Sequence, residues 1–457
     1  MGEGRDAGEG VGGGVGGDAG AGVGGDVDVG VDAGEGEGVD AGSPGLTARG
    51  RIKRDHRRVD PTRTRLLEVE VVSVAGFEIA VRDGADEVAH GWTDAEGRFA
   101  LPLAGAPEVG FELVFAALDD ADADGGAPRL AVFDSAGVTV PRDSGNAVVA
   151  QRLWAWVAAP VEAAIDPGDF GQVHVSEAQG AGAIAVFELL KGFRRRAIDA
   201  FAGAPGSPVG APPTLAVMWS PDINVTCLAC YLPTGWGPIS WHAANGDVGF
   251  DRALFLSGAS SAPLHFTPSL VAHELGHWVM DSFSRFPEAQ GSHGWGELIA
   301  PPLAWSEGFA TFFAQWAQST PESVDPRFFG KQSNVEYWVD LEAIGAGPSA
   351  TATSLSVVFP QPTLGGGLTQ RLNEAVVAAL LWDLWDGVGL PGGDEDVALG
   401  DVVLTGIALL RGGDFDRGVA GPDLVDALDA LACRVMAPAA WNDALMGFPW
   451  DALVPCP

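Results

Sequence analysis

One stretch constrains this chain more than any other: Thr267 to Phe283, which carries His273, Glu274, Leu275, Gly276 and His277 in the pattern H-E-x-x-H. It reads as a helix, with Thr267 in the N-cap position, Pro268 at the first helical position, and Leu270, Val271, Leu275, Trp278 and Val279 as apolar packing residues. Helical positions four apart share a face, so His273 and His277 can both reach one metal ion at about 2.0–2.1 Å from each nitrogen. Glu274 sits one position round from that row. From there it can act on a water at the metal without ligating the metal, which is the placement a general base needs.

A third donor lies further along, where Ala304 to Phe313 reads as a second helix with Glu307 its lone acid. A carboxylate buried there alone costs several kcal/mol, so Glu307 has to be paired, bound to a metal or turned outward. Two histidines and one glutamate leave a fourth position open, as catalytic zinc sites do and closed structural sites do not.

From Pro263 to Trp316 the chain resembles the gluzincins, the zinc peptidases that include the thermolysin-like enzymes and the aminopeptidase N group. The resemblance is carried by the H-E-x-x-H helix and by Trp305, Glu307, Gly308 and Ala310 in the pattern W-x-E-G-x-A. It implies a zincin-like α+β domain with one catalytic Zn2+, His273, His277 and Glu307 as ligands, Glu274 as the base, and a protein or peptide as substrate. Three departures bear on that reading. The gap before Glu307 is long, with an insertion from Arg285 to Pro302; the G-x-M-E-N segment of the aminopeptidases is absent; and Thr311 stands where thermolysin-like enzymes place an acid that orients a ligand. An endopeptidase is therefore expected rather than an exopeptidase. A donor for the oxyanion is sought among Tyr337, His293, His242 and His265.

Towards the N-terminus, residues 1 to about 50 alternate Gly, Asp, Glu, Val and Ala with almost no large apolar side chain, the composition of a disordered, self-repelling arm. The basic stretch from Arg49 to Arg65 reads as a solvated linker, with docking onto an acidic surface of the same protein as the sharper alternative. Short runs with strand spacing follow: Leu66–Val74, Phe77–Arg82, Phe99–Leu103, Phe111–Ala117, Leu130–Phe133 and Ala147–Ala155, the pattern of an antiparallel β-sandwich. Thr93, Asp94, Gly97 and Phe99 form the T-D-x-x-G-x-F pattern, which resembles carboxypeptidase regulatory-like, transthyretin-type domains and implies a module without catalytic groups. Asp120, Asp122, Asp124 and Gly125 match the opening of a calcium loop, yet Ala131 occupies the twelfth position. Ca2+ and a plain solvated loop both stay open there.

Beyond about Ile165 a long helix over Ala178–Ala202, a strand over Leu215–Trp219 and a second strand over Val248–Leu256 precede the H-E-x-x-H helix. The resemblance implies that the last of these is an edge that aligns substrate. Arg371–Asp386 reads as a buried helix whose polar exceptions are Arg371, Glu374 and Asp383, with scaffold helices over Val397–Arg411 and Pro422–Met436. Cys227 and Cys230 form C-x-x-C, which suits a zinc knuckle half, a redox centre or a short disulfide. With Cys433 and Cys456 unpaired in spacing, two local disulfides are the preferred reading.

The expected organisation is thus an arm and linker over 1–62, a β-sandwich over 63–162 and a mostly helical metallopeptidase domain over 163–457. A net charge of −35 argues against nucleic acid and anionic membranes as partners, and no apolar run is long enough to span a bilayer. No signal peptide is visible at the N-terminus, whereas the acidic surface, the Gly-rich arm and the even cysteine count suit an extracellular or bacterial cell-surface protein; a cytoplasmic one is the alternative. The rivals to a zinc peptidase are a surface-binding protein with a vestigial or structural zinc site and a metallo-hydrolase of non-peptide amides.

Overall fold

The basic stretch expected as a linker is instead the longest strand of the molecule among those described. Thr47–His56 pairs in parallel with Asp169–Val175 and antiparallel with Glu70–Ser73 and Arg98–Pro102. Cations of this strand face acids of the same chain, Arg49 meeting Asp166 and Asp169 and the buried Arg54 bonding Glu188 at 2.6 Å, and Arg57 just beyond it meets Glu177. Alternating Ala48 and Ile52 point into the core, which gives the strand the one-sided burial that its charged composition conceals.

A computed structural model describes residues 45–60, 65–103, 105, 110–119, 130–134, 153–161, 166–204, 207, 212–221, 229–233, 239–243, 246–250, 252–259, 263–287, 289, 291, 293, 297–325, 337–342, 368, 371–387, 398–417 and 421–435. The expected arm, the Asp120–Asp122–Asp124 calcium loop, Cys227 and Cys456 lie outside these residues. The N-terminal part is rich in strands and the C-terminal part is mostly helical.

A second sheet is wholly antiparallel, in the order Ala155–Ala158, Phe111–Ala116, Glu78–Asp83, Asp86–Trp92. The last of these strands is missing from the sequence-based expectation because Asp86, Glu87 and His90 mask its alternation. The T-D-x-x-G turn has a specific chemistry. Asp94 Oδ1 accepts from the backbone N–H groups of Glu96 and Arg98 at 2.9 and 2.7 Å, and Gly97 holds φ +75°. A Cβ at Gly97 would lie 2.4 Å from the Ile52 carbonyl, so only glycine fits.

A third, five-stranded sheet runs Ala229–Leu232, Arg252–Ser257, Leu215–Ser220, Leu130–Asp134, Leu118–Asp119. The three inner strands are parallel and both outer ones antiparallel. This pairing crosses the boundary expected between residues 162 and 163, because Leu130–Asp134 joins Leu215–Ser220 while Asp169–Val175 joins Thr47–His56. Strand periodicity specifies which face is buried and says nothing about which distant strand lies alongside. The same sheet corrects the alignment strand. Arg252–Ser257 has a neighbour on each side, and among the described residues the edge next to it is Ala229–Leu232.

The helices are α1 (Ala181–Phe201), α2 (Pro268–Phe283), α3 (Pro301–Gln318), α4 (Glu374–Asp386), α5 (Val402–Gly406) and α6 (Leu424–Val435). Every residue of α3 from Pro301 to Ala317 is buried, as is α4 from Glu374 to Leu384; helices this apolar all round can only sit in the interior. α3 packs between α2 and α4, and α2 also touches α1 and the edge strand. Two glycines permit the close approach: a Cβ on Gly276 would lie 2.8 Å from Ala310 Cα, and one on Gly308 would lie 2.4 Å from Val377 Cβ. Tyr231 on the edge strand donates to Asp281 of α2 at 2.6 Å, and Arg252 pairs with the same carboxylate, which clamps α2 to the sheet. Thr267 does hold the N-cap position, but its hydroxyl donates back to the Leu264 carbonyl at 2.5 Å rather than capping the helix. Among the described residues no helix is long and apolar enough to cross a membrane.

Candidate metal centre

His273, Glu274 and His277 come from α2, and Ser306, Glu307 and Thr311 from the facing turns of α3. The spacing of four places each pair, His273 with His277 and Glu307 with Thr311, on one helical face. His273 Nε2 lies 3.1 Å and His277 Nε2 3.2 Å from Glu307 Oε2. Both distal nitrogens are also engaged. His273 Nδ1 is 3.1 Å from Thr311 Oγ1, and His277 Nδ1 is 3.2 Å from Ser306 Oγ. A hydroxyl can accept from an Nδ1–H, and in that tautomer each Nε2 would keep its lone pair for a ligand at the point where the three groups converge. Thr311 therefore orients His273 where an acid was absent, and Ser306, which no sequence pattern singled out, does the same for His277.

These donors could hold a metal ion. Two ligands about 2.0–2.2 Å from a common tetrahedral centre sit about 3.4 Å apart, close to the separations found here. Burial alone would raise the Glu307 carboxyl, but His277, His273 and His293 outweigh it and hold Glu307 well below the usual carboxylate range.

Glu274 is 6% exposed and lies beside the convergence point without joining it. Burial raises its carboxyl, while His273, His277 and the backbone N–H of Tyr231 draw it back down. Glu274 and the strand Ala229–Leu232 are thus in direct contact.

The insertion before α3 brings in a third imidazole. His293 Nε2 stands 3.2 Å from Glu307 Oε2 and 3.6 Å from Glu374 Oε2. Its ring is pushed up to about 9, first by the hydrogen bond to Glu307, while burial drives the Glu374 carboxyl up to about 7. Of the four side chains considered for the oxyanion, His293 is at the centre. His265 is buried elsewhere, accepting from the Trp219 indole at 3.3 Å, and burial lowers it to about 3. The side chains of Tyr337 and His242 lie outside the described part of the structure. Of the polar exceptions in Arg371–Asp386, Glu374 joins the centre, Arg371 lies before α4 and reaches the Leu298 carbonyl at 3.5 Å, and Asp383 is buried with neither carboxylate oxygen hydrogen-bonded among the described residues. Cys230 and Cys433 each take part in a disulfide.

No protein-family model matches this chain, and no curated protein matches it.

Proposed function

We propose that the chain is a zinc-dependent endopeptidase of gluzincin type, with a zincin-like catalytic domain and a non-catalytic sandwich of carboxypeptidase regulatory-like type in front of it. The observation that carries this reading is the convergence of His273 Nε2 and His277 Nε2 on Glu307 Oε2, each within 3.2 Å of that oxygen, with buried Glu274 beside them. Imidazole and carboxylate donors with an open position suit zinc better than magnesium or calcium. When bound, the metal supplies Lewis acidity, which polarises a carbonyl and acidifies water.

The chain's own residues supply the rest. Glu274 accepts one proton from the attacking water as the C–O bond forms, then delivers it to the amide nitrogen as the C–N bond breaks. Thr311 and Ser306, each within 3.2 Å of an Nδ1, would hold the ligating imidazoles in the tautomer that frees Nε2. The outer side of Ala229–Leu232, an antiparallel edge touching α2, is suited to pair with an extended substrate backbone. Disulfide-bonded Cys230 and Cys433 favour an extracellular or cell-surface setting, where such bonds persist.

Purified protein should hydrolyse casein, lose that activity on treatment with a zinc chelator and regain it when zinc is returned. Hydrolysis that survives complete metal removal, or none in fully zinc-loaded protein, would overturn the proposal. A subtler effect is expected from the hydroxyls. Thr311→Ala should weaken zinc binding about 10- to 100-fold in a chelator competition assay, with Thr311→Ser close to wild type. Equal zinc affinity in the alanine variant would remove Thr311 from this role.

A further inference from the structure

We propose that this centre is built for two divalent transition-metal ions that share Glu307, the second held by His293, Glu307 and Glu374. The proposal rests on the assignment of Glu307 as a metal ligand made above. The donor atoms fall into two triads, His273–His277–Glu307 and His293–Glu307–Glu374, each with all its atoms within 4.8 Å of one another. In the second triad His293 Nε2 lies 3.2 Å from Glu307 Oε2 and 3.6 Å from Glu374 Oε2, separations in the range that ligands of one small cation adopt.

Two further observations point to a ligand there. Glu374 is 4% exposed, and its Oε2, 3.6 Å from His293 Nε2, is shielded from solvent and has no hydrogen-bond partner among the described residues. A buried carboxylate oxygen left unbonded is costly, and a cation between it and Glu307 removes that cost while relieving the repulsion of the two acids. The tautomer of His293 also fits. Its Nδ1 lies 3.2 Å from the Gly291 carbonyl, which can only accept, so Nδ1 carries the proton and Nε2 is the nitrogen available to a metal. The same arrangement, an oxygen on every Nδ1, holds at His273 and His277.

One imidazole and two carboxylates form a borderline donor set that suits zinc and its neighbours in the first transition row. The His293 side chain is 28% exposed, which leaves room for water to complete the coordination. A histidine that ligates through Nε2 has no proton there to donate. His293 is then a ligand rather than the oxyanion donor, and the insertion from Arg285 to Pro302 acquires a purpose: it carries the one ligand that α2, α3 and α4 cannot supply.

The test is zinc stoichiometry on the full chain, by titration of metal-stripped protein against a chromophoric chelator with elemental analysis of the dialysed product. Wild type should saturate at two zinc ions per chain, and Glu374→Gln and His293→Ala at one each. His293 is on a partly exposed segment, so its variant should fold even if the buried Glu374 variant does not, as far-UV circular dichroism will show. Saturation of wild type at one ion, or retention of two by a folded His293→Ala protein, would overturn the second site and leave the first intact. A wild-type chain that binds no zinc would instead overturn the peptidase reading itself.

Discussion

Glu274→Gln is expected to lose about 10²- to 10⁴-fold in peptide hydrolysis while its zinc content stays at the wild-type level. Glutamine keeps the size of the side chain and removes only its ability to take and return a proton. Glu274 stands beside the ligand atoms without belonging to either triad, so nothing that holds a metal is removed. Glu307→Gln should behave in the opposite way. Glu307 Oε2 is the atom on which His273, His277 and His293 all converge, at 3.1, 3.2 and 3.2 Å, and loss of its charge should lower metal occupancy first and activity as a consequence. Metal content and turnover are to be measured on both variants in one buffer. If Glu274→Gln loses its zinc while Glu307→Gln retains it, the roles are reversed; if both variants keep full activity, α2 carries no catalytic site.

Gly308→Ala should destabilise the protein by about 3 kcal/mol, a large effect for a single methyl group. The added Cβ would lie 2.4 Å from Val377 Cβ and 2.7 Å from the Glu374 carbonyl oxygen, and neither atom is the free end of a flexible side chain. α3 and α4 must therefore separate. Because Glu307 adjoins Gly308 and Glu374 begins α4, the separation should also reduce zinc binding. Gly192 provides the contrast within the same protein. It lies in the exposed part of α1, where a Cβ would meet nothing within 4 Å, so Gly192→Ala should stabilise by about 0.5–1 kcal/mol through the lower entropy of the unfolded chain. Thermal and denaturant unfolding of both variants checks the pair. A Gly308→Ala protein as stable as wild type would mean that the two helices are not held at this distance.

Much of the centre is local in origin, which is why it can be read from sequence. The spacing of His273 and His277, the isolation of Glu307 in an apolar run and the composition of α4 each depend only on helical geometry and on the cost of burying charge. The helices that carry them lie close to where periodicity puts them, at Pro268–Phe283, Pro301–Gln318 and Glu374–Asp386. The departure at Thr311 was visible as well, since a residue four after Glu307 must face the same side, although only the structure shows its hydroxyl 3.1 Å from His273 Nδ1.

Long-range partners were a different matter. Thr47–His56 looks like a linker because its cations hide the alternation of Ala48 and Ile52, and it becomes an internal strand because Asp169–Val175, Glu70–Ser73 and Arg98–Pro102 come to lie beside it. Leu130–Asp134 was legible as a strand but not as a neighbour of Leu215–Ser220. The edge moved from the expected Val248–Leu256, whose Arg252–Ser257 part is an inner strand, to the four residues Ala229–Leu232 for the same reason. His293 and His265 were both candidates in sequence, His293 the preferred of the two, and tertiary packing separated them: one was delivered to Glu307 and Glu374, the other buried against Trp219. Sequence by itself determined the helices around the centre and the residues that share a helical face, because those follow from neighbours within one turn. The sheet partners, the edge strand and the third imidazole were decided by the tertiary structure alone, because each depends on burial and pairing with residues far away in the chain.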